Sequence, residues 1–142
     1  MKKKLFFVLL CFFMIICESC QNSTLDSTLL NGYWEIDYVT MPNGEKKSYG
    51  YNPIIDFYEI TSDTTGIRKK VQPNFNGSFS TSKDSKSFNI KKLDNELILQ
   101  YNDDKSSSVW KETIITLEEN KMTIKNKEGI TYIYKRYKKL DL

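Results

Sequence analysis

From Gly32 onward, hydrophobic and polar residues alternate with a period of two, and turn-forming residues interrupt the alternation at short intervals. In YWEIDYVT at 33–40, Trp34, Ile36 and Tyr38 fall on one face, with Tyr33, Glu35 and Asp37 on the other. Pro42, Asn43 and Gly44 then mark a turn, because Asn-Gly supplies the positive φ that a tight hairpin needs. Further strand patterns occupy 52–61, 66–72, 76–82, 86–92, 96–102, 107–117, 121–126 and 130–139. SSVWKETIITL at 107–117 reads as the longest strand, and 61–66 and 103–107 read as loops.

Ahead of Gly32 one short helical pattern stands out. Ser23 with Asp26 three later resembles a capping box, Leu25 and Leu29 lie one turn apart, and Asn31-Gly32 is a suitable stop. Two turns of helix are unstable alone, so Leu25, Leu29 and Leu30 are expected to dock on the sheet and close one end of it. Regular short strands imply a sandwich or a barrel. Hairpin connections throughout favour an all-β fold: an antiparallel up-and-down barrel of about eight to nine strands with a short N-terminal helix. A β-sandwich with a core tryptophan is the alternative.

The 142-residue chain opens with three lysines, then the apolar run Leu5 to Cys17, then Glu18, Ser19 and Cys20. A basic start and a short apolar run mark a secretory signal, whereas a membrane-spanning helix needs roughly 20 apolar residues. The expected organisation is a signal peptide at 1–19, an anchor, linker and short helix at 20–30, and one barrel domain at 31–142. Cys11, Cys17 and Cys20 all lie in the leader region, so the exported body has no internal disulfide and folds on packing alone. Loss of residues 1–19 removes Lys2, Lys3, Lys4 and Glu18 and lowers the net charge from +3 to +1. The basicity of the whole chain therefore belongs to its leader and gives no sign of nucleic-acid binding.

Apolar residues, then Ser19 and Cys20, resemble the lipobox of bacterial lipoproteins, in which the cysteine is acylated. Cys17 and Glu18 depart from that pattern. Two or more acyl chains hold a protein stably at a membrane, so Cys20 would be the tether. Gly32-x-Trp34 opening the first strand, the meandering strands and the late Arg136 resemble the lipocalins and the wider calycin group. The resemblance implies a barrel closed at one end by the tryptophan, with the arginine packed across it. With the leader, LNGYWEI and YIYKRY are similar to the small lipocalin-like lipoproteins of Bacteroidetes, which places the chain in the cell envelope. Only Asp26 is acidic just after Cys20, where surface-exported members carry an acidic cluster, so the outer membrane's periplasmic face is the expected location.

No histidine occurs anywhere, and the body has no free cysteine once Cys20 is acylated. The usual acid/base and transition-metal side chains are thus missing, so no enzyme activity, metal or cofactor is expected. The adjacent carboxylates Asp103-Asp104 and Glu118-Glu119 sit in predicted turns and read as solvated charges. Two basic runs, Arg68-Lys69-Lys70 and Lys135 to Lys139, suit either anionic headgroups near the tether or solvated strand edges, with Arg136 reserved for the tryptophan.

Aromatic side chains are the remaining signal. Tyr38, Tyr58, Tyr101, Trp110 and Tyr134 are the candidates for lining a ligand cavity. A barrel of about eight strands is wide enough either to hold one small ligand or to be filled by its own side chains. Two functions follow. One is a tethered lipoprotein that binds a small apolar or amphipathic ligand. The other is an envelope interaction or inhibitor module with a filled barrel and a protein partner.

Overall fold

Strand β1 (Gly32–Thr40) is paired on both sides, and that double pairing closes the molecule. The computed structural model describes residues 24–102 and 108–139; the signal peptide, Cys20, Ser23 and Asp103-Asp104 lie outside them. One neighbour of β1 is β3 (Ile55–Ser62), with Gly32 opposite Tyr58 and Trp34 opposite Asp56. From there β4 (Thr65–Pro73), β5 (Phe79–Leu93), β6 (Glu96–Asn102), β7 (Val109–Leu117), β8 (Lys121–Asn126) and β9 (Thr131–Arg136) follow as antiparallel neighbours. On its other side β1 pairs with β9, from Trp34 opposite Arg136 to Thr40 opposite Thr131. These eight strands form a closed barrel. A ninth, β2 (Lys46–Ser48), pairs only with the far half of β1.

Among the described residues the expected N-terminal helix is reduced to one turn. Ser27–Leu30 makes a single 3-10 turn, and Asp26 rather than Ser23 caps it, accepting from the Thr28 amide at 2.9 Å. The turn ends at Asn31-Gly32, as the sequence predicts, and Asn31 Oδ1 accepts from the Ile60 amide at 2.7 Å, tying the entry to β3. Leu30 is nonetheless fully buried, with Leu25 and Leu29 packed against the same core.

The predicted strands at 76–82 and 86–92 are one strand of fifteen residues, longer than β7. The polar stretch between them is absorbed as an irregularity opposite Lys69 to Val71, so pairing resumes without a turn. Residues 61–66 are not a loop but the tight β3–β4 hairpin, with Ser62 opposite Thr65. The Asn43-Gly44 turn forms as the sequence predicts, with Gly44 at φ +87°.

Alternation along each strand sets an inner wall. Trp34 and Ile36, then Tyr58, Phe88, Leu99, Tyr101, Ile114, Met122, Ile124 and Tyr134 meet in one core. Gly66 belongs to this wall because the Phe88 ring and the Glu59 carbonyl occupy the space a Cβ would need. The alternation breaks once in β1. Ile36 faces Tyr134, but Tyr38 faces Ile133, so a bulge at Asp37 shifts Tyr38 off the face of Trp34 and Ile36. Period-two reading therefore misplaces Tyr38, and Val39, opposite Tyr132, takes its inward position.

Candidate functional site

The closed end is built from the Gly32, Trp34 and Arg136 signature. Trp34 is wholly buried, and its Nε1 donates to the Leu30 carbonyl at 2.8 Å. The Arg136 guanidinium lies 3.8 Å from the Trp34 ring centroid. Its Nη1 donates to Asn31 O at 2.6 Å, its Nη2 to Leu29 O at 2.9 Å and its Nε to Glu119 O at 2.9 Å. Gly32 makes room for this, since at φ +114° a Cβ would stand 2.9 Å from Arg136 Nη1. Of the Glu118-Glu119 pair, both members are exposed, and Glu119 enters only through this backbone carbonyl.

The fold is a closed antiparallel barrel of eight strands with one added strand. No family model and no curated protein matches the chain. Among solved structures, a lipocalin-like protein from Bacteroides uniformis ATCC 8492 aligns with 77% of this chain and 99% of its own, at 11% identity and a TM-score of 0.47. An uncharacterized protein from Bacteroides eggerthii DSM 20697 aligns with 76% of this chain and 99% of its own, at 15% identity and the same TM-score of 0.47.

Four of the five aromatic candidates turn inward. Tyr58, Tyr101 and Tyr134 are buried in the core, and Trp110 stacks on Tyr101 with ring centroids 3.8 Å apart. Tyr38 does not join them; its ring lies under the Lys46 ammonium, 5.3 Å from the centroid.

Sequence reasoning missed what these tyrosines surround. Arg68 crosses the barrel interior: its Nε meets Asp56 Oδ1 at 2.7 Å and its Nη1 meets Glu112 Oε2 at 3.1 Å. Lys70 Nζ adds a second cation 2.8 Å from Asp56. Tyr134 donates its hydroxyl to Asp56 Oδ2 at 3.2 Å, and Tyr101 donates to Glu112 Oε2 at 3.2 Å. Arg68 also lies over the Tyr58 ring, 5.3 Å from the centroid, while the Tyr58 hydroxyl has no hydrogen-bond partner among the described residues.

Within the run Arg68-Lys69-Lys70, Arg68 is thus not a solvated edge residue. Arg68 and Lys70 share the inward face of Tyr58 and Asp56, and Lys69 alone sits opposite the outward Phe57. Parity was the available signal, since Asp56, Tyr58, Arg68 and Lys70 all fall on inward positions of an alternating hairpin.

Two carboxylates and two cations balance within this cluster. Burial alone would raise the pKa of Asp56, but Arg68 and Lys70 more than offset it and hold the carboxyl below its ordinary range. For Tyr58, Tyr101 and Tyr134 burial pushes the hydroxyl pKa up. Among the described residues, no three histidine, cysteine, aspartate or glutamate side chains group to hold a metal ion.

Removing Arg68 leaves Asp56 and Glu112 facing each other's charge without their shared partner. Arg68→Ala is expected to cost about 3–5 kcal/mol in urea unfolding; a loss below about 1 kcal/mol would show that the cluster is not a unit. The tyrosines give a second check. Their folded pKa values lie above the unfolded value of about 10, so the stability they confer is present below that pH and is lost as pH rises through the folded values. In an absorbance titration, three of the nine tyrosines should stay protonated at about pH 11 and ionise only as the barrel unfolds. Ionisation of all nine in the folded protein would contradict the burial described here.

Proposed function

We propose that the protein is a cell-envelope binding module, not an enzyme, held at a membrane through lipid on Cys20, whose barrel interior is a core and whose outer wall makes the recognition contacts. One observation carries this reading. A residue lining a vacant chamber keeps accessible surface on its chamber side, and Trp34, Tyr58, Leu99, Tyr101, Ile114 and Met122 keep none. Above them, the side chains of Asp56, Arg68 and Glu112 are only 2%, 12% and 11% exposed, so the charged cluster covers the core toward the open end. A ligand entering that way would have to break a cluster that is already neutral and hydrogen-bonded. Of the two functions open to a lipocalin-like barrel, the filled interaction module is the better supported.

The outer wall argues that the barrel itself is not the membrane attachment. Glu35, Glu59, Lys69, Lys91, Lys111, Lys125 and Lys135 occupy its outward positions, opposite or beside residues whose neighbours face the core. Such a wall suits water rather than lipid tails. The tether is then assigned to Cys20, on the periplasmic face of the outer membrane.

Native mass spectrometry of the full chain, released in mild detergent, should give the mass of the acylated polypeptide alone. An adduct that disappears on denaturation and survives Tyr51→Ala, a change on the outer wall, would place a ligand in the lumen and overturn the filled-barrel reading. Replacing Cys20 by Ser should move the protein from the membrane pellet to the soluble periplasmic fraction. If Cys20→Ser protein still pellets, the lipid tether is wrong.

A further inference from the structure

The outer wall carries a cleft of about 340 Å³, within the range of small-molecule sites. It lies where three irregular segments converge: the connection at 50–52, the β4–β5 hairpin tip, and the chain leaving β9 at 137–139. Its base rests on outward-facing rings. Phe79 stacks on Tyr33 with centroids 4.1 Å apart and planes 7° from parallel, Phe57 meets the other part of Tyr33 at 4.8 Å, and Tyr137 meets Phe79 edge-on at 6.0 Å.

Two further lining rings are left open. Tyr51 is 81% exposed and Phe75 is 91% exposed, and neither meets another ring or a cation. Rings at the edge of a concave site offer flat apolar faces on which a bound molecule can stack. Beside them lie uncommitted amide groups. Asn52 donates its Nδ2 to the Ile36 carbonyl at 2.8 Å, which fixes the side chain and leaves Oδ1 free to accept. The Gln72 amide, also lining the cleft, has no hydrogen-bond partner among the described residues. An amide offers both donor and acceptor within one group, which matches vicinal hydroxyls.

Charge narrows the ligand class. Glu35 lies in the cleft and shares Lys135, 3.7 Å away, with Asp37 at 3.8 Å. Among the described residues Lys138 has no acidic partner, and Lys139 lies over the Phe79 ring, 5.3 Å from its centroid, with none either. The cleft therefore presents two lysines against one carboxylate, flat open rings and amide groups with bonding capacity left over. We infer that it is a binding site for an acidic saccharide, with pyranose C–H faces on Tyr51 and Phe75, hydroxyls on Asn52 and Gln72, and the carboxylate at Lys138 and Lys139. The inference rests on the outer-wall reading of function and names the class of ligand that wall recognises.

The test uses the full chain in detergent, presented to an array of neutral and uronate- or sialate-bearing oligosaccharides, followed by saturation-transfer NMR on the binders. Acidic members should bind, with transfer to sugar ring protons, and neutral members of the same length should bind more weakly. Tyr51→Ala and Phe75→Ala, both at exposed positions that leave the fold intact, should each weaken binding by at least about tenfold. Replacing Lys138 and Lys139 together by Ala should abolish the preference for acidic over neutral members.

Absence of any acidic binder overturns the inference, as does binding indifferent to Tyr51 and Phe75. Attachment of Cys20→Ser protein to anionic vesicles through the same rings, without saccharide binding, would make the patch a membrane contact instead. A luminal ligand found by native mass spectrometry would sink the filled-barrel reading while leaving this cleft to be judged by its own variants.

Discussion

One guanidinium holds the closed end together. Arg136 binds three backbone carbonyls, from Leu29, Asn31 and Glu119, and covers the face of Trp34. Those carbonyls belong to the entry turn, the residue before β1 and the β7–β8 turn, so segments far apart in sequence are referred to one charged group. Hydrogen bonds to a charged donor contribute more than neutral ones, and a cation over an indole adds to them as water is excluded. Gly32 follows from this arrangement, because the backbone must pass closer to Arg136 than any side chain permits. With the end sealed, β1 and β9 are held side by side and no free sheet edge remains in the ring of eight.

Sealing the base makes the middle of the barrel a place where charges are costly. Asp56, Arg68 and Glu112 nevertheless sit there, and they are tolerated because each finds opposite charge and hydroxyl donors at hydrogen-bond distance. A network of this kind adds little net stability relative to an apolar core of the same shape, yet losing one member strands the others. It also fixes register. A one-residue slip of β3 against β4 would turn Asp56 and Arg68 to opposite faces, so the pairing that closes the barrel and the pairing that neutralises the charges enforce the same alignment.

Much of the barrel was legible in the alternation of residues and in three signature positions. Strand existence, the Asn43-Gly44 turn and the roles of Gly32, Trp34 and Arg136 each depend on local chemistry or on a motif a reader can match. What escaped depended on breaks in periodicity. A bulge at Asp37 reversed the face of Tyr38, an irregularity in β5 fused two strands into one, and three polar residues, Lys46–Ser48, made a strand only because the far half of β1 was available to pair. The entry helix shrank at its start and not at its stop: it ends at Asn31 as expected, but Asp26 caps a turn of only four residues. Arg68 was misjudged because a run of three basic residues resembles a solvated edge unless strand parity is applied to each one.

The distribution of chemistry between the two walls is the reverse of a simple ligand carrier. A chamber for an apolar guest needs open apolar surface inside and polar surface outside. Here the interior holds compensated charges and rings with no surface left to offer, while aromatic rings with open faces stand on the exterior beside amides and lysines. Strand alternation explains how one sheet supports both. Tyr33 and Phe57 occupy the outward positions next to inward Trp34, Asp56 and Tyr58, so the residues that build the core and those that underlie the cleft are neighbours in sequence. Disturbing the core through those strands therefore moves the floor of the cleft as well.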